Sequence, residues 1–371
     1  SVAVSAPQGA LFTPINPLVV YDSRNGDGPL YSGQNREVNL GVTGAALPGS
    51  VAVAYNLTAT NTVGSGHLSV TPAGSATDTS AINWSGPGQI IANAAPVGVA
   101  GNRITVADQG GATDFLVSVV GYYAPVSVTP AAAVFTPMVP VRTYDSRNGD
   151  GPISTGQQRT INVTAGGLVP PTATAVAVNL TETDTQGRGH LSWAPDGQPP
   201  VASAINWWQA GQTIANSSVI GIHDGKIVVG ARGGSADVIL DVLGYFSAAN
   251  DAPNGVRFTA ITPTRAYDSR VLGAGGPLTS GNHRTTGMGN AAVPRGSAAY
   301  AFNLTVTQTV GRGHLRVAPG GALSGPLSSA INWTADGQKM ANATVVGLHD
   351  NTMTTFARGG ATQYLVDVLG Y

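Results

Sequence analysis

Cysteine is absent from the 371 residues, so neither a disulfide framework nor a cysteine-bound metal can form. Charge is scarce: Asp, Glu, Lys and Arg together make 10% of the chain, against roughly 25% in an average soluble protein. Only two of the 18 cationic residues are lysines, Lys226 and Lys339. With a formal net charge of -1 there is no basic field to gather phosphates, which argues against a nucleic-acid partner. No run of 18 apolar residues occurs, so nothing reads as a membrane-spanning helix. A helical stripe of useful length is missing as well. Disorder is a poor reading too, because 42% of the residues are hydrophobic and the net charge is small.

What is abundant describes strands and turns. Gly 50 and Pro 24, with many Thr, Ser, Val and Asn, suit short strands punctuated by tight turns. The first residues, Ser1 to Ala6, lack a charged and then apolar leader, as in a mature protein whose signal peptide is gone.

Self-similarity decides the organisation. Tyr21-Asp22-Ser23-Arg24-Asn25-Gly26-Asp27-Gly28-Pro29 returns unchanged from Tyr144 to Pro152. It returns altered from Tyr267-Asp268-Ser269-Arg270 to Pro277. The same order of landmarks follows each time: Asn-Leu-Thr at Asn56, Asn179 and Asn303, then Gly-His-Leu at His67, His190 and His314. Ala-Ile-Asn-Trp at Asn83, Asn206 and Asn332, Ala-Asn at Asn93, Asn216 and Asn342, and Gly-Tyr at Gly121, Gly244 and Gly370 complete the set. A period near 120 residues is too long for a solenoid unit and suits a complete sandwich.

Within each copy the apolar period is two, as in Val51 to Thr60, and a terminal strand recurs at 115–120, 238–243 and 364–369. The expected fold is all-β: three tandem homologous antiparallel β-sandwich or jelly-roll-like domains, at 11–123, 134–246 and 257–371. Three like domains can sit around a pseudo-threefold axis. The stretches Ala124 to Ala133 and Ser247 to Arg257, rich in Ala, Pro, Ser and Asn, read as linkers.

Taken together these landmarks resemble a tandem repeat domain of secreted and cell-surface proteins of actinobacteria and some other bacteria. The resemblance rests on Asp22-Ser23-Arg24, Leu47-Pro48, Asn56-Leu57-Thr58, Asn83-Trp84, Gly88-Gln89 with Ala92-Asn93, and Gly121-Tyr122. Gly211 to Asn216 and Val366-Asp367-Val368-Leu369-Gly370-Tyr371 carry it in the later copies. It covers nearly the whole chain, departing at Ser118, where the other copies have Asp241 and Asp367. The resemblance implies a secreted β-domain, often an accessory to enzymes, and no catalysis of its own.

Several residues invite chemistry. Asp22, Asn25 and Asp27, with Asp145, Asn148 and Asp150, place oxygen ligands at short spacing around glycines, a calcium-like loop. Copy three loses those ligands at Val271 and Gly273, and an Asp bonding its own turn is the competing reading. Trp84, Trp207 and Trp333 share one position beside Asn and could stack on a sugar, or else fill a sandwich core. Trp208, adjacent to Trp207 on an alternating strand, should face the other way and be exposed. His67, His190 and His314 lack a second ligand at zinc spacing and are expected to be structural imidazoles bonded to backbone. The asparagines inside strands should satisfy neighbouring loops, because a buried unpaired amide is costly.

The sequence therefore points away from an enzyme and toward a secreted cell-surface structural protein, self-assembling into a surface layer through repeated domain contacts. The alternative is a carbohydrate-binding, lectin-like adhesin. The expected partners are further copies of the chain or a surface polysaccharide, with calcium as the one cofactor entertained.

Overall fold

A computed structural model describes residues 9–129, 132–288 and 293–371. Ser1 to Ala6, and Pro130 and Ala131 of the first connecting stretch, lie outside the described residues. Repeat one consists of eight strands: β1 (Leu11–Asp22), β2 (Asn35–Asn39), β3 (Ala52–Thr60), β4 (Gly66–Pro72), β5 (Ile82–Trp84), β6 (Ile91–Gly98), β7 (Arg103–Gly110) and β8 (Asp114–Ala124). They form two antiparallel sheets, ordered β1-β8-β3-β6 and β2-β7-β4-β5. That order is two Greek keys closed into a jelly roll.

Repeat three reproduces both sheets. Repeat two has the same pairings, but the counterparts of β3 and β4 run on as one strand, Ala175–Pro195, and those of β7 and β8 as another, Lys226–Ser247. The two sheets of that repeat are thereby joined into one. Among the described residues the only helical elements are three short 3-10 turns.

The alternation of β3 explains the packing. Val53, Tyr55, Leu57 and Ala59 point into the sandwich core of repeat one, with Leu68, Ile82, Ile104 and Phe115. The intervening Ala52 and Ala54 face a separate apolar cluster shared by all three repeats. This shared cluster explains why the β3 run reads as apolar on both faces.

The repeats are tied together by main chain as well. Phe12 and Ala133 exchange backbone hydrogen bonds of 2.9 and 2.8 Å, as do Phe135 with Val256 and Ala10 with Phe258. The stretches read as linkers therefore carry inter-repeat bridges: Ala133 and Val256 are docked against a neighbouring repeat. Glycine in the closing Gly-Tyr has a steric cause. A Cβ at Gly121, Gly244 or Gly370 would run into the ring of Phe12, Phe135 or Phe258 respectively.

Candidate functional site

The Asp-Ser-Arg loops close on themselves. Asp22 caps its turn through the Arg24 amide and grips the Arg24 guanidinium by two bonds of 2.8 and 2.6 Å. That pairing holds the Asp22 carboxyl below the ordinary carboxylate range. Asp27 accepts from the Tyr21 hydroxyl at 2.8 Å, and Arg36 donates to Tyr21 and to the Gly28 carbonyl. Asp145, Asp150, Arg147 and Arg159 repeat the arrangement in the second copy. Ser23, fully buried, donates to Asp114 and accepts from the Phe115 amide, pinning the loop to β8.

This geometry competes with the calcium reading. The acids of both loops are engaged by arginine or tyrosine, and Asn25 and Asn148 lie in the same turns. Among the described residues no group of three or more His, Cys, Asp or Glu is placed to hold a metal.

The tryptophan reading is corrected. Trp84, Trp207 and Trp333 are 1%, 0% and 1% exposed, so none offers a face to a sugar. Their rings lie over the glycine of Gly-His-Leu: a Cβ at Gly66, Gly189 or Gly313 would meet the six-membered ring. Trp208 is half-buried rather than exposed and packs against apolar clusters on both sides of a repeat boundary. The histidines sit half-buried at the start of β4 and its counterparts. Burial lowers their pKa. No hydrogen bond joins these imidazoles to backbone among the described residues.

The asparagines do far more than fix their own loops. Asn93 of repeat one donates to Asn303 of repeat three at 2.9 Å. Asn342 of repeat three donates to Asn179 of repeat two at 3.1 Å, and Asn216 of repeat two to Asn56 of repeat one at 3.0 Å. The circuit closes with every member buried. Each donor also satisfies a carbonyl in its own repeat, Ala81, Ala204 or Ala330. Its oxygen accepts a main-chain amide from a neighbour: Ala343, Ala94 or Ser217. Asn56, Asn179 and Asn303 in turn donate to Ser203, Ser329 and Ser80, each in a different repeat. The pattern is a pseudo-threefold axis, along which β6 and its counterparts Ile214–Gly221 and Met340–Gly347 pack pairwise.

Beside this axis lies a cavity of about 190 Å³ lined by all three repeats. Ala54 and Ala177 stand at equivalent positions in its wall with Ala301, as do Ala94, Ser217 and Ala343. A run of aromatic rings borders it: Phe258, Tyr123, Phe12, Phe246 and Phe135, with successive centroids 4.6, 4.9, 4.5 and 4.9 Å apart. Sequence reasoning passed over these rings, although Phe12, Phe135 and Phe258 recur at the repeat step. Such a lining can bind apolar matter.

No protein-family model and no curated protein matches the chain. Among solved structures, one described by the words triple jelly roll fold and turret assembly in an archaeal virus aligns over 96% of this chain and 91% of its own, at 10% identity and a TM-score of 0.18. One from the Sulfolobus turreted icosahedral virus aligns over the same shares at 9% identity and a TM-score of 0.17.

Proposed function

We propose that this protein is a structural building block of a secreted cell surface, in which the three jelly rolls act as one rigid three-lobed unit and assemble with further copies. The observation that supports this most is the closed circuit of buried asparagine bonds through Asn93, Asn216 and Asn342. Buried amides fully satisfied across three boundaries rigidify an assembly and specify a single arrangement of its parts. The most conspicuous candidates for chemistry, the loop acids and the tryptophans, serve packing and loop closure instead. Near-neutral charge leaves little repulsion between like molecules. No helix of the described residues is long and apolar enough to cross a membrane.

Sedimentation velocity over rising concentration, with negative-stain microscopy of the concentrated protein, tests this reading. Ordered sheets or discrete oligomers are expected. A chain that stays monomeric at millimolar concentration, and forms no periodic coat on the native surface, would sink it. Retention on a polysaccharide panel would instead favour the adhesin.

A further inference from the structure

Charge is divided unevenly among the lobes. Repeat three, at 257–371, holds nine of the 18 cationic residues and only four of the 19 acids. Repeat one, at 11–123, holds three cations and six acids, and repeat two stands between, with six and eight. The near-neutral total thus hides a formal charge of +5 on one lobe and -3 on another. Because the repeats surround an axis, these charges lie on different sides of the molecule.

The excess gathers on the outer face of the sheet formed by His283–Gly287, Gly313–Pro319, Ile331–Trp333 and Thr352–Gly359. Leu315 and Ala357 turn into the core, so the alternate residues His314, Arg316 and Arg358 turn outward. His314 is directly opposite Arg358, and exposed Arg312 precedes it. Burial and then the neighbouring Arg358 lower the pKa of Arg316, and burial with both arginines lowers that of His314. Arg312, Arg316 and Arg358 make no ion pair among the described residues. Repeat one has Ser65, Ser69 and Gln109 at those three places. The loop at 320–329 crosses the same face, held by a 2.9 Å bond from Arg316 to the Pro326 carbonyl. Its Leu323 and Leu327 are 92% and 80% exposed. The equivalent loop of repeat one has no leucine and carries the exposed Asp78. Asp27 and Asp78 of repeat one also lack an ion-pair partner among the described residues.

Building on the assembly proposed above, we infer that the outer face of repeat three is a docking surface for repeat one of a second copy. The two lobes complement each other in charge, and arginine is enriched at protein interfaces. The two uncovered leucines add apolar area for the partner to cover. Two repeat-three faces would repel, so the contact joins unlike surfaces head to tail. Contacts of that kind propagate into open arrays unless their rotation closes a ring.

Sedimentation velocity of the full chain measures the contact. Association should weaken at least about tenfold between about 20 and about 500 mM NaCl, as screening shortens. Arg358→Glu should weaken it at least about tenfold, whereas Arg103→Glu, the same charge change on repeat one, should not weaken it. Arg312→Ser with Arg358→Gln copies repeat one, so it keeps the fold, and should weaken association about fivefold or more. Asp27→Asn with Asp78→Asn should weaken it as well. Association indifferent to salt and to Arg358→Glu would overturn this contact while leaving assembly itself standing. Equal loss from Arg358→Glu and Arg103→Glu would trace the effect to net charge and overturn it too. An unaltered Asp27/Asp78 variant would remove repeat one as the acceptor. A chain that never associates would take both this inference and the assembly with it.

Discussion

Arg142 Nε stands 2.9 Å from Asp241 Oδ1 across two adjacent strands, at the register where repeat one instead pairs Val19 with Ser118. Repeat three keeps the charged version, Arg265 with Asp367. The ion pair and its neutral substitute are thus alternative solutions at a single position. Removing Asp241 takes charge-assisted hydrogen bonds from Arg142, which is 27% exposed and keeps Asp145 at 3.5 Å, whereas replacing both partners can be nearly neutral. Asp241→Ala is expected to cost about 2–3 kcal/mol. The double change Arg142→Val with Asp241→Ser, copying repeat one, should recover most of that loss. Urea unfolding of the three proteins decides between these outcomes.

Asn216→Ala removes three hydrogen bonds and leaves the Ala94 amide and the Asn56 oxygen without partners at a buried boundary. A loss of about 3 kcal/mol or more is expected, since each buried group left unpaired costs about 1–3 kcal/mol. Hydrogen exchange should show the effect at once in two repeats. Deprotection of the Ala94 amide in repeat one, from a change made in repeat two, is the diagnostic result.

Glu182 is completely buried on the counterpart of β3, and neither carboxylate oxygen has a hydrogen-bond partner. Ala59 and Val306 hold the corresponding places. Burial pushes its pKa well above the ordinary glutamate range. Glu182→Val should therefore stabilise the fold at neutral pH by about 1–3 kcal/mol. An unchanged or lowered unfolding midpoint would contradict this.

Asp108 faces inward on β7, also without a partner for either oxygen, and burial raises its pKa to about 7. Repeats two and three have Ala231 and Ala357 there. A carboxyl whose folded pKa is raised binds its proton more tightly in the folded state. Its contribution is therefore intact at acidic pH, below the unfolded value of about 4, and is lost as the pH rises from there through about 7. The wild type should lose stability over that window, and Asp108→Ala should flatten the slope. Denaturant midpoints measured between pH 4 and 8 provide the comparison.

Calcium should leave the Tm unchanged to within about a degree, with or without chelator. Asp22 and Asp145 are already paired with arginine, and Asp27 and Asp150 with tyrosine. A calcium-dependent rise of several degrees would show that the loops open to take the ion.

The antiparallel architecture was legible because its signals are local: alternation in Val51 to Thr60, turn residues at regular intervals, and a motif set repeated in order. The sandwich class followed from a repeat of sandwich length, whereas the order of strands within each sheet did not. The partners of Asn93 and Asn56 were not legible, since they lie 210 and 160 positions away. A buried asparagine looks the same in sequence whether it bonds its own loop or another repeat. The shared tryptophans were ambiguous because an Asn-Trp pair suits both a sugar platform and a core, and only the glycine beneath each ring decides. Trp208 lies just past the end of its strand and packs against apolar clusters on both sides of a repeat boundary, which alternation alone cannot reveal.

The hydrogen bonds linking the asparagines all run in the same rotational sense, from repeat one to three to two and back. A linear stack of modules has two bare flanks and needs special end units to shield them. Here no lobe occupies an end. Detaching any lobe breaks two boundaries simultaneously, so fraying is suppressed and the whole chain should melt in a single cooperative step.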